Sequence, residues 1–464
     1  MPIAWLRAAF VAAAAVILSF QLFVRPVVGL ADQGDFTRVI GRFGYGAVDK
    51  SAEYAFVARK YAPEPNARLR VYEQLSSEYI FVGAAILLNK GVSLDGSLDI
   101  TIIGFVHMLA FLYAFYRLLL VTGPLRAAPL IWILALLALT DVGYAAYWNS
   151  FYAEPASCIF FLLLLAESIA ICRTQEVPSA EAVRWALWAV LFVMAKPQNA
   201  PLGILLALFV FRLHAWSKSS AGRVAIAGSL AIVAAVVFIT VTSPVANMWS
   251  STYDQVFMAI LPESKTPAQD AQALGLTPDW LKYSGTGAWT EGTNLYEAVK
   301  SGVIGKTITH GSIARFYLLR PARIWRHAKR VLPVAFSLRP DTCGNFERSA
   351  GFAPGAKSQT SDAWSGFHEH GLTACGKLIL IALLICPVIC AAAWFRTARD
   401  ARRSLEFFGL LSICCLLSFV IAICGDAWDN VKHLFLFNLL LDTWMVAGIA
   451  FAFQSLVRYC TAYR

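Results

Sequence analysis

Charge is scarce in this chain. Asp, Glu, Lys and Arg make up 15% of its 464 residues while 58% are hydrophobic, a balance too apolar for an ordinary soluble domain. No zinc-type cysteine spacing and no G-x-x-x-x-G-K phosphate loop occurs, so structural zinc and nucleotide hydrolysis find no motif. No small-x-small cleavage site follows the first apolar stretch, Met1–Val24. That stretch approaches the roughly 20 residues that span a bilayer, and it is expected to remain as a first helix rather than be removed as a signal peptide. Internal repeats and low-complexity tracts are missing as well, where many secondary transporters carry paired repeats.

What is present is the pattern of an all-α polytopic membrane protein. Apolar segments fall near residues 4–24, 98–121, 129–147, 153–172, 184–195, 201–214, 223–242, 377–395, 405–424 and 433–454, which predicts about ten transmembrane helices. The fifth and sixth are short and meet at Lys196-Pro197-Gln198-Asn199, as two short spans or as a hairpin that stops partway. The formal net charge of +10 would raise nucleic acid as a partner in a soluble protein. Here the basic residues gather in alternate short loops: Arg117 and Arg126, Arg173 and Arg184, Arg212, Lys218 and Arg223, then Arg396, Arg399, Arg402 and Arg403, with Arg458 and Arg464 in the tail. The intervening turns hold only Lys196 and Lys432. The positive-inside rule then places both termini in the cytoplasm, in a plasma (inner) membrane, and no nucleic acid is needed to account for the charge.

Alternation puts two long connections, residues 25–97 and 243–376, outside. They divide the chain into an N-terminal transmembrane module (1–242) with a long first outer loop, a small mixed outer-face domain (243–376) and C-terminal transmembrane helices (377–464). Within the first loop, Tyr79–Leu88 is apolar but too short to span, which suits a helix lying in the membrane interface. In the second, Arg320, Arg323, Arg326, His327, Lys329 and Arg330 are interleaved with Leu318, Leu319 and Trp325. That composition suits an interfacial helix among membrane lipids, with arginine forks matched to lipid phosphate.

The unusual polar residues fall on the same outer side. Ala31–Arg38 reads ADQGDFTR, placing Asp32 and Asp35 as candidate acid–base groups and Arg38 as a helper for an anionic group, although Asp and Gly are also ordinary turn residues at a helix end. Asn149 and Glu154 follow the third helix; Glu154, just before Pro155, also suits a helix N-terminus. Lys196, Gln198 and Asn199 sit in a turn bracketed by Pro197 and Pro201, where Lys196 has a pairing with Asp141 or snorkelling as its plainer roles. Asp426 and Asp429 read as solvated turn residues. His107, Glu167 and Asp442 lie within spans and are expected to face other helices. Of ten cysteines, Cys343 and Cys375 share the outer compartment, where a disulfide between them is expected.

The stretches Asp32-Gln33-Gly34-Asp35-Phe36-Thr37-Arg38, Asn149-Ser150-Phe151-Tyr152-Ala153-Glu154 and Lys196-Pro197-Gln198, set on this topology, resemble the GT-C class of membrane glycosyltransferases. The resemblance is closest to the bacterial hexose transferases of S-layer and surface-glycan assembly. It implies transfer of a sugar from a polyprenyl-phosphate-linked donor to a glycan, lipid or protein acceptor at the outer face. Asp32 or Asp35 would be the general base, with Arg38, Asn149, Glu154, Lys196, Gln198, Asn199, Arg320 and Arg323 binding substrate. Metal-dependent members carry D-x-D or E-x-D, whereas here the spacing is D-x-x-D, so no cofactor is required by the sequence and Mg or Mn lacks its motif. The alternatives are a polytopic transporter or lipid flippase, and an outer-face polysaccharide polymerase or ligase.

Overall fold

The computed structural model describes residues 3–64, 74–93, 95–174, 176–214, 220–291, 293–397 and 399–462; Lys218 and Arg464 of the charge pattern lie outside them. The first half of the chain forms α1 (Ile3–Phe23), α2 (Tyr79–Val92), α3 (Ile100–Thr122), α4 (Ala128–Leu139), α5 (Val142–Ala145), α6 (Glu154–Arg173), α7 (Ser179–Val193), α8 (Ala200–His214) and α9 (Ser220–Val241). The second long connection contains α10 (Val245–Asp254), α11 (Pro267–Ala273), α12 (Leu295–Lys300), α13 (His310–Leu319) and α14 (Pro321–Val331). Then follow α15 (Ala363–Gly366), α16 (Thr373–Trp394), α17 (Arg399–Gly425), α18 (Asn430–His433) and α19 (Phe435–Ala462). The protein is a largely helical, multi-pass membrane protein.

Among the described residues seven helices are long and apolar enough to cross a bilayer, and α4 together with the turns through Asn149, bent by 50°, makes an eighth. The bend has a local cause. Asp141 accepts a hydrogen bond from the Gly143 amide at 2.7 Å, capping α5 and so ending one helix and starting the next. Helices α7 and α8 have only 15 residues each, short of the roughly 20 that a full span needs. The ten expected spans are therefore eight of full length and one short pair joined at Lys196.

Helix α6 is the central element, buried along nearly its whole length, and it packs against α3, α7, α17 and α19. A helix apolar on every side belongs inside a bundle. The polar groups in the spans face partners, as their cost requires. Glu167 meets Arg117 at 2.5 Å and Arg184 at 3.1 Å, and Asp442 accepts from Tyr144 at 2.7 Å and from the Trp364 indole at 3.0 Å.

The first long connection carries a small antiparallel sheet of β1 (Tyr45–Ala47), β2 (Lys60–Pro63) and β3 (Leu98–Asp99), in which Tyr61 is paired with Ala47 on one side and Leu98 on the other. The second connection divides in two. Tyr253, Phe257, Leu261, Ile304 and Phe316 form a core of their own, a cap, whereas Leu332, Phe336 and Leu338 join the core of the bundle. Beyond them the chain runs beside the first connection: the Gly29 amide donates to Asn345 O at 3.0 Å, Ala31 to Gly344 O at 3.0 Å and Val57 to Phe346 O at 2.9 Å. The two long connections thus share one face. Gly344 is needed there, because a Cβ would stand 2.1 Å from Ala55 O.

The expected disulfide does not form. Cys343 and Cys375 are both free: Cys343 is locked in the core beside the first connection, while Cys375 is exposed on α16.

Candidate active site

The loop that follows α1 is pinned by an aromatic nest. Phe36 is buried, with ring centroids 4.6 Å from Tyr152 and 5.6 Å from Phe151, and Phe151 in turn meets Tyr61 of β2 at 4.7 Å. Burying such a ring stabilises by roughly 2–3 kcal/mol, enough to hold the polar residues on either side in place. The Tyr152 hydroxyl donates to Ala31 O at 2.9 Å and accepts from the Gln33 amide at 3.0 Å. Gly34 turns the chain at φ +86°, a conformation that favours glycine, and a short 3-10 turn, Phe36–Arg38, follows.

The two carboxylates flanking Gly34 have different surroundings. Asp35 meets Arg38 at 2.8 Å and forms an ion pair with Lys432. Lys432 is itself buried; it donates to Gln33 Oε1 at 2.9 Å, lies 5.2 Å from the centre of the Tyr152 ring and has Asp429 at 4.0 Å. The turn before α18 that delivers Lys432 has Asp429 in the left-handed region, φ +49°, and is tied to the α7–α8 turn by a hydrogen bond of 2.7 Å from Gln198 to His433 O. Two residues before Gln198, Lys196 pairs with Glu154 at 2.7 Å. Asp32, by contrast, accepts the Phe36 amide at 3.0 Å, and among the described residues no cation lies within ion-pairing distance of it.

This asymmetry separates their acidities. Burial alone would raise both carboxyls. At Asp35 the charges of Arg38 and Lys432, with a contribution from Lys196, outweigh burial and hold the carboxyl well below the usual range. At Asp32 burial dominates, opposed by the Phe36 amide and reinforced by the negative charges of Asp35 and Glu53, and the pKa is pushed up to about 7. One loop therefore holds a carboxyl kept low by neighbouring cations and one raised toward neutrality, the arrangement by which paired carboxyls divide acid–base work.

The sequence profile of YfdI_N, described as the YfdI N-terminal transmembrane domain, matches residues 5–462. The chain belongs to that family. No curated protein matches the sequence. Among solved structures, the archaeal oligosaccharyltransferase AglB from Archaeoglobus fulgidus in complex with an inhibitory peptide and a dolichol-phosphate aligns at 11% identity and a TM-score of 0.39, covering 99% of this chain and 52% of that one. The apo form of the oligosaccharyltransferase from the same organism aligns at 11% identity and a TM-score of 0.40, covering 98% and 52%. The chain spans about half the length of these proteins.

In this YfdI_N family member, Asp35 and Arg38 are in contact, Glu154 and Lys196 form a second pair, and Gln198 joins the turn of Lys196 to that of Lys432. Other residues singled out from the sequence brace this arrangement or lie elsewhere. Asn149 is buried and donates to Val28 O at 2.7 Å and Leu22 O at 3.1 Å, fastening the exit of α1. Asn199 donates to Ser157 Oγ at 3.1 Å and Phe192 O at 2.9 Å, joining α8 to α6 and α7. Arg320 lies over the Phe316 ring at 5.1 Å, and Arg323 is bound to Asp270 at 2.8 Å and Thr266 at 3.1 Å within the cap. Asp429 is not a solvated turn residue: its side chain is only 9% exposed beside Lys432. Lys196 takes Glu154 rather than Asp141, whose carboxylate is filled by the Trp364 and Ser365 amides at 2.8 and 3.0 Å. Lys432, Gln33 and Tyr152 escaped the sequence-based set of site residues. A signal for Lys432 existed, since Lys196 and Lys432 are the two basic residues in turns that otherwise carry none.

Proposed function

We propose that the chain is a membrane glycosyltransferase of the GT-C type, a hexosyltransferase that moves a sugar from a polyprenyl-phosphate-linked donor to a glycan, lipid or protein acceptor at the outer face of the plasma membrane. The observation that carries this reading is the division of labour between Asp32 and Asp35. An acceptor hydroxyl attacking the anomeric carbon must lose its proton, and Asp32, unpaired and with a pKa pushed up to about 7, is suited to take it. As the new glycosidic bond forms, the bond between anomeric carbon and phosphate oxygen breaks, and the electron pair leaves with the polyprenyl phosphate. Arg38, Lys432 and Lys196 supply positive charge for that oxygen, and Asp35 holds the first two in position. Arg320 and Arg323 have no part in this scheme, since their partners lie within the cap. The outer-face assignment follows from the positive-inside pattern, and it does not depend on whether the short α7–α8 pair crosses, because a pair of crossings leaves both termini on one side.

The test uses the full chain in proteoliposomes, supplied with radiolabelled polyprenyl-phosphate hexose and a membrane extract as acceptor. Label should move to acceptor, and Asp32→Asn should reduce that transfer by roughly 100-fold or more. Movement of labelled solute across the bilayer without bond cleavage would point to a transporter. Undiminished transfer by an Asp32→Asn, Asp35→Asn double variant would overturn the mechanism.

A further inference from the structure

The basic cluster in α13 and α14 is sorted by direction. Arg323 and Arg330 turn toward the cap, where Asp270 and Glu263 neutralise them at 2.8 and 2.5 Å, and Arg326 donates to Glu263 O at 3.0 Å. On the opposite side of α14, Ala322, Trp325 and Lys329 are exposed at helical spacing, with the Lys329 ammonium 5.4 Å from the Trp325 ring centre. At the junction of the two helices, Leu318 is 78% and Leu319 65% exposed. Arg315 and Lys329 are exposed and have no acidic partner among the described residues. Two large leucines and a tryptophan left open together beside free cations make a surface that calls for an apolar and anionic occupant.

The height of this hairpin relative to the bilayer is set by two contacts. The buried His327 places Nε2 2.6 Å from Ile423 O, two residues before the end of the crossing helix α17. Leu332, the residue after α14, packs so closely on α16 that a Cβ at Gly376 would stand 3.0 Å from it. Helix α14 therefore rests on the ends of two crossing helices, at the level where the hydrocarbon gives way to headgroups. At that depth apolar side chains, an interfacial tryptophan and cations are the expected mixture.

We infer that the α13–α14 hairpin is seated in the headgroup layer of the leaflet on this face, with Leu318, Leu319 and Trp325 entering the acyl boundary and Arg315 and Lys329 meeting anionic lipid phosphates. The cap is then held at a set height over the bilayer. This depends on α17 crossing the membrane and is independent of the catalytic reading.

The experiment uses the full chain with a nitroxide at Leu318→Cys in a Cys375→Ser background, reconstituted in phosphatidylethanolamine vesicles with and without phosphatidylglycerol. Collisions with oxygen, which partitions into lipid, should exceed those with a water-soluble nickel chelate. A label at Asp341→Cys, where the side chain is 80% exposed, should show the reverse order. Phosphatidylglycerol should deepen the Leu318 label, and Arg315→Gln with Lys329→Gln should remove that dependence. A Leu318 label as open to nickel as the Asp341 label overturns the inference, and so does one shielded from both reagents, which would mean a protein partner or a second copy on this face. Leu319→Cys repeats the measurement if the first variant does not fold.

Discussion

Glu78 Oε1 and His107 Nε2 lie 2.6 Å apart with neither side chain exposed to solvent. The imidazole's other nitrogen is 2.8 Å from Trp148 O, and the carboxylate's second oxygen accepts the Ala156 amide at 3.1 Å. Ser76, two residues earlier, donates to Ala195 O at 2.6 Å, and Ser77 to Leu191 O at 2.8 Å. This segment therefore holds the backbone beside both Glu154 and Lys196. Removing one partner of a buried hydrogen bond leaves the other unsatisfied at a cost of about 1–3 kcal/mol, so Glu78→Ala should lower stability by that order in denaturant unfolding of the detergent-solubilised protein. Glu78→Gln, which keeps a hydrogen bond to His107, should cost less.

Asp32 and Asp35 should fail in different ways. Asp32→Asn should lower sugar transfer by roughly 100-fold or more while leaving the melting temperature nearly unchanged. Asp35→Asn leaves Lys432 buried without its main counter-charge and should lower both activity and melting temperature. Equal thermal stability of the two variants would contradict the assignment of the counter-charge to Asp35.

The pH profile follows from the raised pKa of Asp32. A general base works ionised, so transfer should rise with pH through an apparent pKa near 7 in kcat/KM, the value to which Asp32 is pushed, and level off above it. For stability the sign is opposite: the native state keeps this proton at pH values where the unfolded chain has released it, so between about pH 4 and 7 the group's contribution declines as pH rises. Asp35, held low, stays ionised across this range, and its stabilising pairings are lost only well below pH 4. Loss of the acid limb near pH 7 in Asp32→Asn, with residual transfer independent of pH, is the expected result.

Lys432 and Arg323 separate the site from the cap. Lys432→Gln removes a buried cation shared by Asp35 and Gln33 and should depress transfer strongly. Arg323→Gln breaks only the contacts to Asp270 and Thr266, so transfer per folded molecule should be near normal while the cap becomes more sensitive to proteolysis. Kinetics on the two purified variants, with limited proteolysis in parallel, would check this.

Gly34 is the remaining test of the loop. An alanine there meets a left-handed backbone, with its Cβ 2.9 Å from Glu53 Oε1, and should cost about 1–2 kcal/mol. Because the strain falls between the two aspartates, kcat for transfer should drop in Gly34→Ala even where the thermal shift is small.

By itself the sequence determined the positions of the apolar helices, the alternation of charged loops and the polar stretch Ala31–Arg38 on which the proposed chemistry rests. These are local properties: the length of an apolar run sets whether it can span, and loop charge is counted without knowing what the loop touches. Even Arg38 beside Asp35 was foreseeable, because a helical turn brings residues three apart together. Which aspartate is held low and which is raised was not, since Asp32 and Asp35 are the same residue type in the same loop. Burial raises both, and their difference comes from the cations beside Asp35: Arg38 from the same turn, and Lys432, 397 residues away, which arrives only when α18 folds back against the loop after α1. The same holds for Asp429, which only the packing of its turn removes from water, and for Cys343 and Cys375, which lie in the same long connection but have different surroundings. Proton affinity and disulfide pairing depend on solvent exclusion and on distances between remote segments, and those quantities exist only once the chain is packed.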